Sequence, residues 1–406
     1  MRVLVLTQYY WPEAFRINEV VESLRGAGCS VTVLTGQPNY PDGKVFPGYS
    51  AWGCGRQDHS LGYPIYRVPI IPRGAGSAWR LALNYLSFVA SATVQGARLL
   101  RGQHFDIIFV YGISPILQGI AGIALKRPKH AALVIWVQDL WPQSLETAGF
   151  VTNRRLLGWV GTVVQWIYRR SDLLLVQSRA FVPAVQAMAG STPVTYHPNP
   201  GEAAFGRAQF SNQPRLLLQP GFNVVFAGNL GTVQALGTVL DAARLLLPYE
   251  DVRVVLIGGG SRHDWLTREV TRLKLRNVQL AGRFAAEDMP GLLSQASALL
   301  VSLVRSPIMS QTIPSKVQAY LAAARPIIAA LDGEGARVVT EAGAGIACPA
   351  EDAPALAQAV LNLRAMSPEA QQRLGAAGRS YYQRHFEPSM LAQRLMQLFR
   401  EVAIKR

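Results

Sequence analysis

Short, wholly apolar runs alternate along this chain with longer stretches of helical periodicity. An apolar run of four to six residues predicts a strand buried on both faces, as in a parallel sheet covered by helices. Such runs fall at Val3 to Thr7, Val31 to Thr35, Ile107 to Tyr111, Leu133 to Val137 and Leu173 to Gln177. A helix ending in glycine, Glu19 to Gly28, separates the first two. The pattern breaks between Pro198 and Pro220, where HPNPGEAAF and NQPRLLLQPG read as a linker and a loop. A second series follows: Val224 to Ala227, Val254 to Gly258, Val278 to Ala281, Ala298 to Leu303, Pro326 to Leu331 and Gly345 to Cys348. The tail from Pro368 to Lys405 is helical and amphipathic. Two successive α/β series predict two doubly wound, Rossmann-like domains, residues 1–200 and 201–380. A C-terminal helix at about 380–406 is expected to pack back on the first. A ligand is expected in a cleft at the carboxyl ends of the strands.

Composition supports a large core, because half of the 406 residues are hydrophobic. That length exceeds what one core needs. The net charge of +15 is mostly arginine and is heavier in the first half. It suits phosphorylated ligands or an anionic membrane face. No long basic run or aromatic-basic motif is present, so nucleic acid is not an expected partner. Cys29, Cys54 and Cys348 are scattered without metal spacing, which fits a reducing cytoplasmic setting. The N-terminus reads as a strand rather than a signal peptide, and no apolar run is long enough to span a bilayer.

The stretch from Gln311 to Pro349 carries the most chemistry. Thr312 to Lys316 is a TIPSK loop ending in a lysine at a helix start, and Asp332-Gly333-Glu334-Gly335 is a Gly-rich turn. Free N–H groups, the helix dipole and Lys316 together favour a diphosphate. The same features also serve an ordinary α/β crossover. Ile257 to Gly260 follows a strand but does not complete G-x-G-x-x-G, which argues against an NAD enzyme. The absence of a D-x-D pair gives no support to a metal held by two such aspartates.

In chain order, TQYYWPE, VTVLTGQPNYPDG, RVPIIPRG with NYLSF, WVQDLWPQS, FAGNLGTVQAL, TIPSKVQAYLA, LDGEGARVV and CPAED resemble the family 4 retaining glycosyltransferases of GT-B fold. The resemblance is to the WbuB-like type that transfers N-acetyl-L-fucosamine in O-antigen and capsule synthesis, and it covers nearly the whole chain. It implies two Rossmann-like domains facing each other across a cleft. It also implies a donor site on the second domain, made by Gly228, Asn229, Gly231, Arg283, Phe284, Gln311, Thr312, Ser315, Lys316, Gly333, Glu334 and Gly335. Lys316 would stabilise the departing diphosphate. Members usually carry a basic residue soon after the first glycine loop, where this chain has Gln234. They also carry a spaced pair of glutamates, where this chain has Gln311 and Ala319. Ala319 cannot bond a ribose, and Glu334 is a candidate substitute.

On the first domain the resemblance implies an acceptor side with Glu13, Arg16, Asn39 and Gln138. Asp139 there would orient or deprotonate the acceptor hydroxyl, though a structural aspartate is the competing assignment. His197 and Asn199 read as junction and packing residues. Retaining transfer in this fold needs no protein nucleophile, so neither cofactor nor metal is expected beyond the nucleotide-sugar, with UDP the implied carrier.

Trp79 to Arg101 and Arg154 to Arg170 are apolar, contain tryptophans and end in arginines. They suit either core helices or helices lying on anionic lipid. The expected activity is sugar transfer to a lipid-linked oligosaccharide, peripherally on the cytoplasmic face of the inner membrane. A UDP-sugar 2-epimerase and an inactive scaffold of a polysaccharide assembly complex are the alternatives.

Overall fold

The computed structural model describes residues 1–74, 78–114, 116–147, 153–202, 205 and 218–404. It divides into two compact units, Met1–Pro198 with Leu391–Arg406, and Asn199–Met390.

The first unit holds eight strands: β1 (Arg2–Leu6), β2 (Ser30–Thr35), β3 (Gly55–Asp58), β4 (Pro64–Arg67), β5 (Ile107–Gly112), β6 (Ala132–Val137), β7 (Leu173–Val176) and β8 (Val194–Tyr196). Their order is β3-β4-β2-β1-β5-β6-β7-β8, parallel except for the β3–β4 pair. The central strands are apolar throughout because both faces are covered. Leu4 and Leu6 of β1 join one core, while Val3 and Val5 join the other. The second core is closed by the last helix, Pro388–Ile404, whose Phe399 is fully buried with its ring 5.2 Å from that of Phe109. The preceding helix, Pro368–His385, belongs to the second unit. The chain thus rejoins the first unit at Leu391.

The second unit holds six parallel strands: β9 (Phe222–Ala227), β10 (Val252–Ile257), β11 (Val278–Gly282), β12 (Ala298–Ser302), β13 (Ile327–Ala330) and β14 (Gly345–Cys348). The order β11-β10-β9-β12-β13-β14 reverses direction between β9 and β12. That reversal opens a crevice at the carboxyl ends of the strands, where doubly wound sheets bind ligands.

Hydrophobic pattern locates the buried strands of both units. It misses β3, a polar strand at the sheet edge, β4, a buried strand that begins in a proline and ends in an arginine, and β8, which is only three residues long.

Candidate active site

In the second unit a cavity of about 510 Å³ opens at the β9/β12 switch point. Three strand-end loops and one helix make most of its wall, and Glu202, Phe205, Ala286, Met289 and Leu293 also line it. The loop after β9 begins with Gly228, at φ +134°, where an added Cβ would lie 2.7 Å from Lys316 Cε. The loop after β10 packs directly on it, and a Cβ on Gly258 (φ +137°) would sit 1.9 Å from the Gly228 carbonyl oxygen. No residue with a side chain can bring these two backbones so close. Gly258 N–H donates to the Gly282 carbonyl at 2.7 Å, which draws the end of β11 into the group. Arg283 and Phe284 then follow directly along the cavity wall.

The helix Ser315–Ala322 supplies a further wall. Its positions 316, 319 and 320 share a face, as i, i+3 and i+4 spacing requires, and Lys316, Ala319 and Tyr320 all line the cavity. The Tyr320 hydroxyl accepts the Ala227 N–H (2.9 Å) and donates to the Ala227 carbonyl (3.2 Å), which pins the helix to the end of β9. The Lys316 ammonium lies over the Phe226 ring, 3.7 Å from its centroid, and donates to Gln234 Oε1. Gln234 is itself held through its carbonyl by Ser302 Oγ at 2.7 Å. Burial pushes the Lys316 ammonium down to about 7. No carboxylate among the described residues pairs with it. The site therefore presents a poorly solvated cation beside glycine-loop amides and a helix N-terminus, an arrangement suited to a diphosphate.

Of the residues expected at the donor site, Gly228, Asn229, Arg283, Phe284, Ser315 and Lys316 line this cavity, and Gly231 sits one position beyond it beside the Asn229 side chain. The others lie to one side. Gln311 Nε2 donates to the Pro307 carbonyl (3.0 Å) and Thr312 Oγ1 to the Met309 carbonyl (3.1 Å), both within their own short turn. Gly333 and Gly335 allow close packing against Ser310 and Pro314, behind the TIPSK loop. Glu334 does not replace a ribose contact at this cavity. It is buried, and its carboxylate pairs with Arg337 at 2.9 and 3.0 Å because the two sit three residues apart on one helix. Sequence reasoning missed Glu202, Tyr320, Gly258 and Gly259 as lining residues. The glycine triplet after β10 was the available signal.

The first unit gathers its own cluster at the carboxyl ends of β1, β5 and β6. Asp139 Oδ2 accepts the Ser114 N–H (3.1 Å) and hydroxyl (3.0 Å), and Trp141 Nε1 donates to the same hydroxyl at 3.0 Å. Burial raises the Asp139 carboxyl, and the two bonds from Ser114 oppose that rise. Burial also pushes the Tyr111 phenol well up, with Arg16 opposing and Asp139 adding, so both charges face that hydroxyl. Tyr9, Phe15 and Tyr40 form a ring cluster with centroids 5.0 to 5.9 Å apart, and Arg73 lies over Tyr40 at 5.1 Å.

Two acceptor-side expectations are corrected. Glu13 is buried at 3% exposure, with Oε1 accepting the N–H groups of Asn39 and Tyr40 (2.8 Å each) and Oε2 that of Tyr10 (3.2 Å). Asn39 is fully buried, donating to the Gln37 carbonyl and accepting the Arg73 N–H. These turns carry orphan amides that need acceptors, so both residues organise loops. Gln138 is buried at the end of β6, its N–H on the Gly112 carbonyl and its carbonyl on Gln177 Nε2. His197 is buried against Trp136, and burial lowers it to about 3. It is therefore a neutral packing residue. Asn199 accepts Gln318 Nε2 through its carbonyl at 2.8 Å.

Among the described residues, no group of three or more His, Cys, Asp or Glu side chains is placed to hold a metal ion, and no helix is long and apolar enough to cross a membrane.

Residues 14–200 match the family model described as glycosyl transferase 4-like domain, and residues 221–365 match glycosyl transferases group 1. WcaI of Escherichia coli, named as a colanic acid biosynthesis glycosyl transferase, is 26% identical over 342 residues, 79% of this chain and 81% of that protein. WbjE of Pseudomonas aeruginosa, named as a glycosyltransferase, is 24% identical over 64% of this chain and 66% of that protein. Among solved structures, sucrose-phosphate synthase from Thermosynechococcus elongatus superposes with a TM-score of 0.75 at 18% identity, covering both chains completely. Anabaena Alr3699/HepE in complex with UDP superposes at 0.70 and 15% identity, over 99% of this chain and 100% of that one. The two family models divide at the boundary between the two structural units and together span most of the sequence, so the chain is a glycosyltransferase of GT-B fold, family 4-like.

Proposed function

We propose that this protein moves a sugar, with retention, from a UDP-sugar to a lipid-linked oligosaccharide during surface polysaccharide assembly. The observation that carries the reading is the Lys316 site, a desolvated cation with no carboxylate partner among the described residues, set against two glycine loops. UDP as carrier is supported by the solved HepE complex, and the polysaccharide setting by the name of WcaI. The transferred sugar is N-acetyl-L-fucosamine or a related amino or deoxy sugar. This follows from the motif resemblance.

Chemically, Lys316 and the loop amides take up negative charge on the diphosphate as the glycosidic bond breaks. In the first unit Asp139 orients the acceptor hydroxyl, and Arg16 supplies positive charge beside it. Because Lys316 and amides carry the phosphate charge, transfer proceeds without a divalent metal.

The protein works peripherally on the cytoplasmic face of the inner membrane. The helices Ala78–Leu99 and Arg154–Tyr168 support this. Trp79, Leu83, Leu86 and Val94 of the first, and Leu156, Trp159 and Trp166 of the second, are exposed, Trp159 by 70%. The charges on and beside them are Arg80, Arg98, Arg101, Arg154, Arg155, Arg169 and Arg170, without one acidic residue. Apolar stripes edged by arginine suit an anionic lipid surface.

Thermal unfolding with UDP, GDP, CDP and dTDP, each with Mg²⁺ and with EDTA, tests the donor reading. A midpoint rise with UDP, unchanged by EDTA, is the expected result. No shift with any nucleotide would overturn it.

A further inference from the structure

Eighteen of the described residues line the cavity of the second unit, and Glu202 is the sole carboxylate among those eighteen. It reaches the cavity from the segment that precedes β9, not from any of the three strand-end loops. It is half-buried, and no hydrogen bond or ion pair engages its carboxylate among the described residues. Lys316 and Arg283 line the same cavity without pairing to it. An uncompensated carboxylate in a site built for anions is costly unless it meets hydrogen-bond donors from the ligand.

Its position narrows the choice of donor. The N-terminal turn of the helix Ser315–Ala322 carries Ser315 and Lys316, the phosphate end of the cavity. Ala319 and Tyr320 lie one turn further along, about 5.4 Å down the axis. Glu202 lines the cavity together with Ala319 and Tyr320 of that second level. Its charge acts on the Tyr320 hydroxyl, whose phenol burial already pushes up. Ala319 presents only a methyl group to the cavity. A phosphate is repelled by Glu202, and a flat base has few donors to offer it. A vicinal diol offers two O–H donors at a spacing that one carboxylate accepts.

We infer that Glu202 binds the ribose 2′- and 3′-hydroxyls of the donor nucleotide, so that this chain reads its ribonucleotide from the segment before β9 instead of from the helix face at Ala319. The inference rests on the nucleotide-sugar reading above. Glu202 is then a specificity residue, and it makes the site one for ribonucleotides over deoxyribonucleotides.

The test uses the full-length protein and two probes, UDP and 2′-deoxy-UDP, with affinities measured by calorimetry. The wild type is expected to prefer UDP by about tenfold or more, since a site built to bond a hydroxyl rejects the analogue lacking it. Glu202→Gln and Glu202→Ala should each lower UDP affinity to the level of 2′-deoxy-UDP and leave 2′-deoxy-UDP unchanged. Combining Glu202→Ala with Ala319→Glu should restore the preference. Because Glu202 is half-exposed and unpartnered, Glu202→Gln should unfold at the wild-type temperature, which separates lost recognition from lost folding. The inference is overturned if Glu202→Gln keeps the preference, or if both probes weaken equally. It is also overturned if only a UDP-sugar weakens and UDP does not, because the carboxylate would then serve the transferred sugar. A wild type that binds neither probe refutes the UDP-sugar reading itself.

Discussion

Lys316 donates a hydrogen bond to the side-chain carbonyl of Gln234, a residue 82 positions earlier in the chain. Gln234 stands where the motif resemblance leads to the expectation of a basic residue, and it gives the lysine a neutral partner. Arg283 lines the same cavity, and the Lys316 amine lies beside Phe226. Its removal should be felt directly. Lys316→Ala is expected to lower turnover at least tenfold, about 1.4 kcal/mol of transition-state stabilisation, and to weaken UDP binding. Steady-state kinetics and calorimetry check this, and unchanged kinetics would remove Lys316 from the chemistry.

The same lysine makes binding pH-dependent. Its folded-state value of about 7 lies below the ordinary lysine range. In the unliganded protein the group is therefore largely neutral above pH 7, and its cost to the fold is full below that value and fades as pH rises to the ordinary lysine range. A bound diphosphate favours the charged form and raises the value again. Binding at pH 8 should take up close to one proton, and affinity should fall as pH rises above 7. Calorimetry in two buffers of different ionisation enthalpy measures the uptake. Lys316→Met should abolish it.

The contact between the first two glycine loops is steric and can be tested as such. Gly258→Ala places a methyl group 1.9 Å from the Gly228 carbonyl oxygen at a positive φ. It should cost about 1–3 kcal/mol of stability and reduce UDP binding. Gly237→Ala is the control, since its nearest neighbour would be 4.0 Å away within a helix. It should be neutral or slightly stabilising. Equal behaviour of the two variants in denaturant titrations would show that the loop contact is dispensable.

Glu13 is expected to act on stability in the first unit and not on donor recognition in the second. Glu13→Ala leaves three backbone N–H groups without their acceptor, at a cost of at least about 2 kcal/mol. The melting temperature should fall while affinity for UDP stays at the wild-type level. A stable Glu13→Ala protein would show that water replaces the carboxylate.

Lipid docking predicts a charge-dependent and tryptophan-dependent affinity. The protein should co-sediment with vesicles containing phosphatidylglycerol and release at high salt, where the arginines are screened. Trp79→Glu with Trp159→Glu should weaken binding at least tenfold without altering the melting temperature, because both rings are exposed. Binding that ignores both salt and these substitutions would remove the two helices from the interface.

Much of this protein was settled by local sequence. Wholly apolar runs such as Val3–Leu6 and Val224–Ala227 can only be buried strands, and the glycines after Ala227 and Ile257 can only be tight strand-to-helix turns. Two doubly wound units and the phosphate end of the cavity follow from those short-range signals. The TIPSK lysine was legible for the same reason. What the tertiary structure decided are the partnerships that sequence distance conceals. Glu334 is the exception, since its tie to Arg337, three residues along the same helix, is local. Glu13 had the look of a site residue until the amides of a turn 26 residues later joined one from its own turn on its carboxylate. Phe399 joins a core begun at Val3, and Glu202, set in what reads as a linker, enters a cavity whose other walls lie up to 118 residues later. Local propensity determines which element a residue builds. Only packing determines which polar groups are left over to meet a ligand, because that depends on which partners folding has already placed beside them.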